Sequence, residues 1–196
     1  QAPDVILIGE IRDRESMEAA ITFADTGHLC LGTLHSTTAN QSFDRILNFF
    51  PAERQAQILM HLSLSLRAII SQRLIPSVEG TRVPAIEIMI DTPRIKDLIK
   101  QGAIDALKEA MEQGIHEGCQ TFDQALFTLY KEGKITLEQA LKNSDSANNL
   151  RLKIKLEGLT GDESLDTLLA KDKAGPSKSG LNITGVQPSR TNFRRV

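Results

Sequence analysis

The sequence predicts an α/β fold with a mainly parallel sheet, followed by a small helical subdomain. Two strand-like apolar runs, at residues 5–9 and 28–34, each precede a helix-like stretch, and this alternation is typical of parallel sheets. After residue 91 the pattern changes to short amphipathic segments separated by glycines and capping residues. We therefore expect an α/β part over residues 1–91 and a helical subdomain over residues 92–145.

The composition is that of a protein with a core and little net charge. The 196 residues include 23 basic and 25 acidic side chains, a net charge of -2, which argues against binding to nucleic acid or to an anionic membrane. No apolar run approaches the ~18 residues that span a bilayer. We expect a soluble, cytoplasmic protein. Because the first residue is not Met and a strand begins almost at once, we also expect the chain to belong to a longer protein.

Two strand and helix units and a hairpin are expected in the α/β part. The β-branched run at 5–9 is typical of a strand buried on both faces of a sheet, and Asp13 is a candidate N-cap for a helix that Gly27 ends. The second run precedes a helix that Pro51 stops.

The remainder of this part contains one long helix and two strands. The apolar spacing over residues 52–72 predicts a long amphipathic helix. The runs at 73–76 and 82–90 flank a turn that contains Gly80, so they predict a β-hairpin.

The helical subdomain has clear start signals. Thr92 and Pro93 form an N-cap followed by proline, and capping boxes begin at Thr121 and Thr136. Helices are expected around residues 95–99, 104–111 and 122–130, with a short helix after Thr136.

The C-terminal region divides into two further segments. Apolar and charged residues alternate over 150–157, which predicts one amphipathic strand within a segment of strand and linker at 146–170. Residues 171–196 contain six basic residues against one acidic residue, a net of +5, among Gly, Pro and Ser. We expect a disordered basic tail.

Glu10 is the first candidate site residue, because it follows a hydrophobic strand and a glycine. Such a position lies at the carboxyl edge of the sheet, where open α/β folds bind ligands. An acid there can orient a water bound to Mg²⁺ or polarise an attacking water, since phosphoryl transfer depends on positioning and charge compensation. The plain alternative is a solvated acid in a turn.

Two histidines, His28 and His35, bracket the second strand. Their separation of seven residues is odd, so period two places them on opposite sides of a regular strand and argues against a shared zinc site. His35, followed by Ser-Thr-Thr, would emerge near Glu10 with an imidazole that can donate to an oxyanion. The alternative is one buried and one capping histidine. Cys30 and Cys119 lack metal-ligand spacing, so we expect packed, reduced thiols and no metal cluster.

Together these segments resemble the secretion-type ring ATPases of type IV pilus and type II secretion systems. Residues 3–13 are similar to the Walker B segment and residues 26–36 to the histidine box of that family. The segments 50–53, 66–74 and 87–90 resemble the retraction branch, the PilT/PilU group, and the resemblance covers about residues 1–145. PilT motors typically carry Ala-Ile-Arg-Asn-Leu-Ile-Arg-Glu where this chain has Arg94-Ile-Lys-Asp-Leu-Ile-Lys-Gln101, and this departure, with the basic tail, makes PilU the closer likeness.

The resemblance implies part of a RecA-like P-loop NTPase core that forms a homo-hexamer and binds ATP and Mg²⁺ at subunit interfaces. Glu10 would act on Mg²⁺ through water, His35 would lie near the terminal phosphate, and His28 would take part in nucleotide binding. The run Gly175–Gly180 lacks the spacing of a phosphate-binding loop, and the family's upstream Walker A loop is not in this chain. We therefore expect ATP hydrolysis from the longer parent and not from this chain alone.

The resemblance also implies partners. Arg94, Lys96 and Lys100 share one side of a short helix and would couple the motor to the pilus base, although a solvated helix face is the plain alternative. The expected partners are a companion retraction ATPase and the inner-membrane pilus platform protein, at the cytoplasmic side of the inner membrane.

Two functions from different classes stay open on this basis. One is an ATP-hydrolysing retraction motor subunit, and the other is a non-catalytic accessory ring protein that binds the principal retraction ATPase. An assembly ATPase of the type II secretion kind is disfavoured, because the cysteine-rich metal module common in that branch has no counterpart in this sequence.

Overall fold

The computed structural model describes residues 3–158, which contain two two-stranded sheets and eight α-helices. Its elements, in chain order, are β1 (Val5–Ile8), α1 (Arg14–Asp25), β2 (Leu29–Gly32), α2 (Ala39–Asn48), α3 (Ala52–Ser65), β3 (Ala68–Pro76), β4 (Arg82–Ile90), α4 (Pro93–Gln101), α5 (Leu107–Gln113), α6 (Phe122–Lys131), α7 (Leu137–Asn143) and α8 (Ala147–Leu156). The predicted basic tail lies outside the described residues, and within them no helix is both long enough and apolar enough to cross a bilayer.

The first strand and helix unit forms as predicted. β1 and β2 pair in parallel, with Val5 opposite Leu29, and α1 is the crossover between them. Asp13 caps α1 in a complete capping box, and Gly27 follows the helix with φ +93°. The expectation of burial on both faces is wrong for β1, because Leu7 is 73% exposed. Within the described residues α1 packs on this sheet, whereas Val5 and Leu29, on the same face as Leu7, are 52% and 50% exposed.

The long helix predicted over residues 52–72 is wrong in its second half. α3 ends at Ser65, Leu66 turns to extended backbone, and residues 68–76 form β3. β3 pairs antiparallel with β4 along nine residues, from Ala68 opposite Ile90 to Pro76 opposite Arg82. The predicted hairpin is thus confirmed and longer than expected. The apolar spacing of this stretch fits a helix locally. Its β-branched residues favour extended backbone, and pairing with β4 provides the hydrogen bonds for nine residues.

The helical region follows the start signals. Thr92 accepts the Ile95 N–H and Pro93 opens α4, while Thr121 forms a complete capping box at α6. Thr136 caps α7 through the Gln139 N–H.

The amphipathic strand predicted within 146–170 is wrong, because residues 147–156 form helix α8. Leu150 and Ile154 are one helical turn apart and both are buried against α6 and α7, whereas Leu152 and Leu156 are exposed. Periods of two and of four residues coincide at these positions, so the pattern fits either structure. Helical structure therefore continues past residue 145, and residues up to Glu157 form one compact unit. The boundary between residues 91 and 92 stays a prediction.

The basic residues of α4 do not share one side. At about 100° per residue, Lys96 and Lys100 lie about 40° apart, while Arg94 lies about 160° from Lys96 on the opposite edge of the exposed surface. The predicted apolar side is confirmed by the burial of Ile95, Leu98 and Ile99. Lys96 is also engaged in an ion pair, since its Nζ lies 2.9 Å from the Asp91 Oδ2.

A charged network ties β3 to the helices. The Arg73 guanidinium lies 2.9 Å from Asp145 Oδ1 and stacks 3.9 Å from the Phe122 ring centre. Lys108 reaches Asp145 at 3.2 Å and Asp123 at 3.3 Å. Burial alone would raise the pKa of Asp145, but the Arg73 hydrogen bond and the charges of Lys108 and Arg73 outweigh it and lower that pKa below 3.8. This network joins the hairpin to α5, α6 and the α7–α8 connection.

Replacing Asp145 should destabilise the fold in a pH-dependent way. Asp145→Asn removes the partner of two cations, so we expect a loss of about 1 to 3 kcal/mol of unfolding free energy at pH 7. Because the pKa of Asp145 is lowered from 3.8 in the folded chain, its stabilisation is present above that pH and is lost as the pH falls through the folded value.

Urea unfolding of wild type and variant at pH 7 and at pH 3 measures this difference. The control is Asp97→Asn, on the exposed side of α4, which should leave stability unchanged. A difference between wild type and Asp145→Asn that is the same at both pH values would contradict the ion-pair interpretation.

Candidate functional site

Glu10 and His35 meet at the carboxyl edge of the parallel sheet. Glu10 lies two residues after β1, and His35 lies three residues after β2. Because β1 and β2 are parallel, both strands end at the same edge of the sheet. There His35 Nε2 lies 3.0 Å from Glu10 Oε1. Their side chains are 73% and 42% exposed, respectively, so the pair faces solvent. The predicted proximity of the two residues is confirmed.

Backbone contacts beyond the strands hold these two segments side by side. The Ile11 N–H donates to the Thr33 carbonyl at 2.9 Å, and the Thr33 hydroxyl donates to the Gly9 carbonyl. Ile11 is 6% exposed and belongs to the main hydrophobic core. Glu10 is therefore placed by a buried neighbour and a continued backbone ladder. An exposed ion pair adds little stability by itself.

The loop after His35 is fastened to the start of α2. Thr38 is the N-cap and accepts the Gln41 N–H at 3.1 Å. The Gln41 amide oxygen in turn accepts the Thr37 N–H and hydroxyl, while the Ser36 and Ser42 hydroxyls lie 2.7 Å apart. Thr38 of the Ser-Thr-Thr cluster thus caps α2, and the cluster limits the freedom of the loop that carries His35.

His28 lies at the opposite end of β2 from the Glu10–His35 pair. The four-residue strand between the histidines spans about 13 Å. His28 Nδ1 lies 3.1 Å from the Thr26 hydroxyl and 3.2 Å from the Phe23 carbonyl oxygen. These contacts fasten the residue to the end of α1 and fit the alternative of a capping histidine. Its predicted role in nucleotide binding stays a prediction.

Glu10 has the chemistry of a single carboxylate ligand. Its side chain is 42% exposed, and no group of three or more His, Cys, Asp or Glu that could hold a metal occurs among residues 3–158. Mg²⁺ is commonly held by one or two carboxylates, waters and substrate phosphates, so this edge fits a metal that arrives with a phosphate ligand. Cys30 and Cys119 are free thiols, and Cys119 is buried.

Glu87 bonds to the helix that follows the His35 loop and was not among the candidates from the sequence. It is 4% exposed, and its Oε1 accepts the Ala39 N–H at 2.7 Å. The signal was present, because Ala85, Glu87 and Met89 share one strand face and the other two face the core. An acid on a core face is rarely buried without a partner.

Sequence comparisons assign the chain to a family. Residues 1–168 match the sequence model of the family described as Type II/IV secretion system protein, and the chain belongs to that family. It is 50% identical over 195 residues to the type IV pilus ATPase PilU of Pseudomonas aeruginosa, a match that covers 99% of this chain and 49% of PilU. It is 44% identical over 147 residues to the type IV pilus retractation ATPase PilT of the same species, covering 75% of this chain and 43% of PilT. The predicted PilT/PilU resemblance is confirmed.

Solved structures confirm the α/β ATPase fold. The pilus retraction motor PilT with bound ADP matches 74% of this chain and 40% of its own, with a TM-score of 0.66 and 43% identity. The Legionella pneumophila ATPase DotB matches 70% of this chain and 37% of its own, with a TM-score of 0.61 and 25% identity. This chain spans about half the length of the curated relatives it matches.

Crowding at Gly32 should disturb the edge that carries Glu10. A Cβ at Gly32 would lie 2.7 Å from Ile11 Cδ1 and 3.3 Å from its Cγ1, whereas a Cβ at Gly9 meets nothing within 4 Å. Gly32→Ala should therefore displace buried Ile11 and lower the free energy of unfolding by about 1 to 2 kcal/mol, and Gly9→Ala should change it little. Urea unfolding of the two variants tests this, and equal stabilities would refute the close packing of Gly32 on Ile11.

Proposed function

We propose that this chain is the C-terminal portion of a hexameric ATPase that powers or assists type IV pilus retraction and twitching motility. The observation that carries the proposal is the Glu10–His35 pair at the carboxyl edge of the parallel strands. The chain that holds this pair is 50% identical to PilU over 99% of its own length. The phosphate-binding pattern Gly-x-x-x-x-Gly-Lys-Ser/Thr occurs nowhere in the 196 residues. We therefore propose that this chain by itself does not hydrolyse ATP and that the longer protein does.

In this proposal Glu10 and His35 divide the chemistry. The Glu10 carboxylate would hold Mg²⁺ through water, or would polarise the attacking water, and its place at the carboxyl edge of the parallel strands supports that role. His35 donates a hydrogen bond to the terminal phosphate, for which its solvent-facing ring is suited. Bound Mg²⁺ supplies charge compensation for the phosphates. His28 belongs to the nucleotide site only through the resemblance.

The proposed partners follow the same family argument. They are further copies of the chain in a homo-hexamer, a companion retraction ATPase and the inner-membrane pilus platform protein, with the motor peripheral to the cytoplasmic side of the inner membrane. On α4, Arg94 and Lys100 are exposed, whereas Lys96 is held by Asp91. We assign the coupling of the motor to the pilus base first to Arg94 and Lys100. Lys96 takes part only if a partner displaces its ion pair with Asp91.

Glu10→Gln in the full-length protein should nearly abolish turnover and spare ATP binding. The substitution removes the charge that acts on Mg²⁺ or water and keeps the shape of the side chain, so we expect a loss of ~10²-fold or more in kcat. Steady-state hydrolysis and nucleotide-binding titrations measure the two effects. Glu15→Gln, an exposed acid at the start of α1, is the matched control.

Unchanged hydrolysis in Glu10→Gln would refute the assignment. A wild-type protein that does not hydrolyse ATP but binds the companion retraction ATPase would instead support the accessory ring protein.

His35→Ala should impair hydrolysis more than His28→Ala. His35 lies beside Glu10, whereas His28 is fastened to the end of α1 at the far end of β2. If His35 contacts the terminal phosphate, its variant should also lose the difference in affinity between ATP and ADP. Binding titrations with both nucleotides test this, and an unchanged preference in His35→Ala would count against the assignment.

A further inference from the structure

We propose that Glu87 is a positioning residue that sets the place of His35 by anchoring the first turn of α2 to the hairpin strand β4. The inference deepens the proposed function, because it takes His35 as the residue that contacts the terminal phosphate. Its geometric part concerns the fold alone and is tested separately.

The anchor is a buried carboxylate at a helix N-terminus. Glu87 is 4% exposed, and its Oε1 lies 2.7 Å from the Ala39 amide nitrogen, 48 residues away in the chain. Ala39 is the first residue of α2, so its N–H is one of the donors that a helix leaves without an internal partner. Thr38 accepts the Gln41 N–H, whereas Glu87 accepts the Ala39 N–H. The positive end of the helix dipole further favours a carboxylate at this place.

Ala39 is connected to His35 by a short and well-tethered loop. Three residues separate them, and their side chains bond to Gln41 and Ser42 inside α2. A shift of the first turn of α2 is therefore carried to His35, since the loop has few degrees of freedom left. On the other side His35 meets Glu10, whose segment is held by buried Ile11.

Glu87 also faces the charged network of the helical region. The charged groups around it are Arg73 on β3, Lys108 on α5 and Asp145 between α7 and α8, while α2 presents the Ala39 amide. Arg73 and Lys108 are already matched by Asp145 and Asp123. Glu87 is thus a third acid beside Asp145 and Asp123, which already pair with the two cations. Its own hydrogen-bond partner is the Ala39 N–H at the start of α2. Movement of the helical region therefore has a direct route to the loop that carries His35.

The titration of Glu87 offers an independent readout. Burial raises the pKa of Glu87 above 4.5, opposed by the Ala39 hydrogen bond. As the pH rises through the pKa of Glu87, the carboxylate forms and strengthens its hydrogen bond to the Ala39 N–H. Nuclear magnetic resonance of the 196-residue chain should therefore show a transition above pH 4.5 in the Ala39 amide signal.

Glu87→Gln and Glu87→Leu separate the acceptor from the charge. Glu87→Gln keeps an oxygen that can accept the Ala39 N–H, so it should abolish the transition and leave the His35 signals near their wild-type positions. Glu87→Leu cannot accept, so it should speed hydrogen exchange at Ala39 about tenfold or more, the effect of losing about 1.4 kcal/mol of protection, and shift the His35 signals.

Two controls distinguish positioning from general destabilisation. Glu79→Gln changes an exposed acid in the hairpin turn, and Met89→Ala removes a buried side chain from the same strand face as Glu87. Glu79→Gln should keep both the transition and the His35 signals. Met89→Ala should lower stability and still keep the transition.

In the full-length protein, Glu87→Leu should lower kcat by about tenfold and change the KM for ATP little, because the catalytic geometry and not the phosphate grip is disturbed. Glu87→Gln should recover most of that loss.

An Ala39 amide signal that shows no pH-dependent transition in wild type would overturn the proposal, whether or not Glu87→Leu folds. So would His35 signals that are unchanged in folded Glu87→Leu. If the wild-type full-length protein hydrolyses no ATP, the proposed function fails, and the resonance measurements still decide the positioning role.

Discussion

Parallel pairing of two four-residue strands is the constraint on which the candidate site depends. Antiparallel strands would place the residues after β1 and β2 at opposite edges of the sheet. With α1 as the crossover, both strands end at one edge, and Glu10 meets His35 although they are 25 residues apart. Both side chains face solvent, where an ion pair contributes little. Their placement therefore depends on the backbone ladder through Thr33 and on the burial of Ile11.

A second constraint comes from the hairpin, which lies outside the parallel pair. On β4, the buried Glu87 carboxylate accepts the N–H of Ala39, the first residue of α2. On β3, Arg73 forms an ion pair with Asp145 in the α7–α8 connection. The same two strands therefore contact both the helix after the histidine box and the helical region. In the proposed ATPase, these packed elements and their buried polar contacts would connect the nucleotide site to the helical region.

The two errors in secondary structure share one physical cause. A short apolar pattern is compatible with more than one backbone, because residues four apart lie on one face of a strand and also on one face of a helix. Leu150 and Ile154 became helical because α6 and α7 offered a surface to pack on, and Ile69 and Ile70 became extended because β4 offered nine partners. The exposed face of β1 follows likewise from which layers pack on it.

The sequence by itself determined the local features of this protein. Caps such as Asp13 and Thr121 depend on a few neighbouring atoms, and the motif around Glu10 carries its family resemblance in contiguous residues. Tertiary structure decided which of two backbones the ambiguous segments adopt, and it brought Glu87 to Ala39 across 48 residues. The reason is physical: hydrogen bonds within a turn are encoded by residue spacing, whereas the partner of a buried group is chosen only when distant elements pack together.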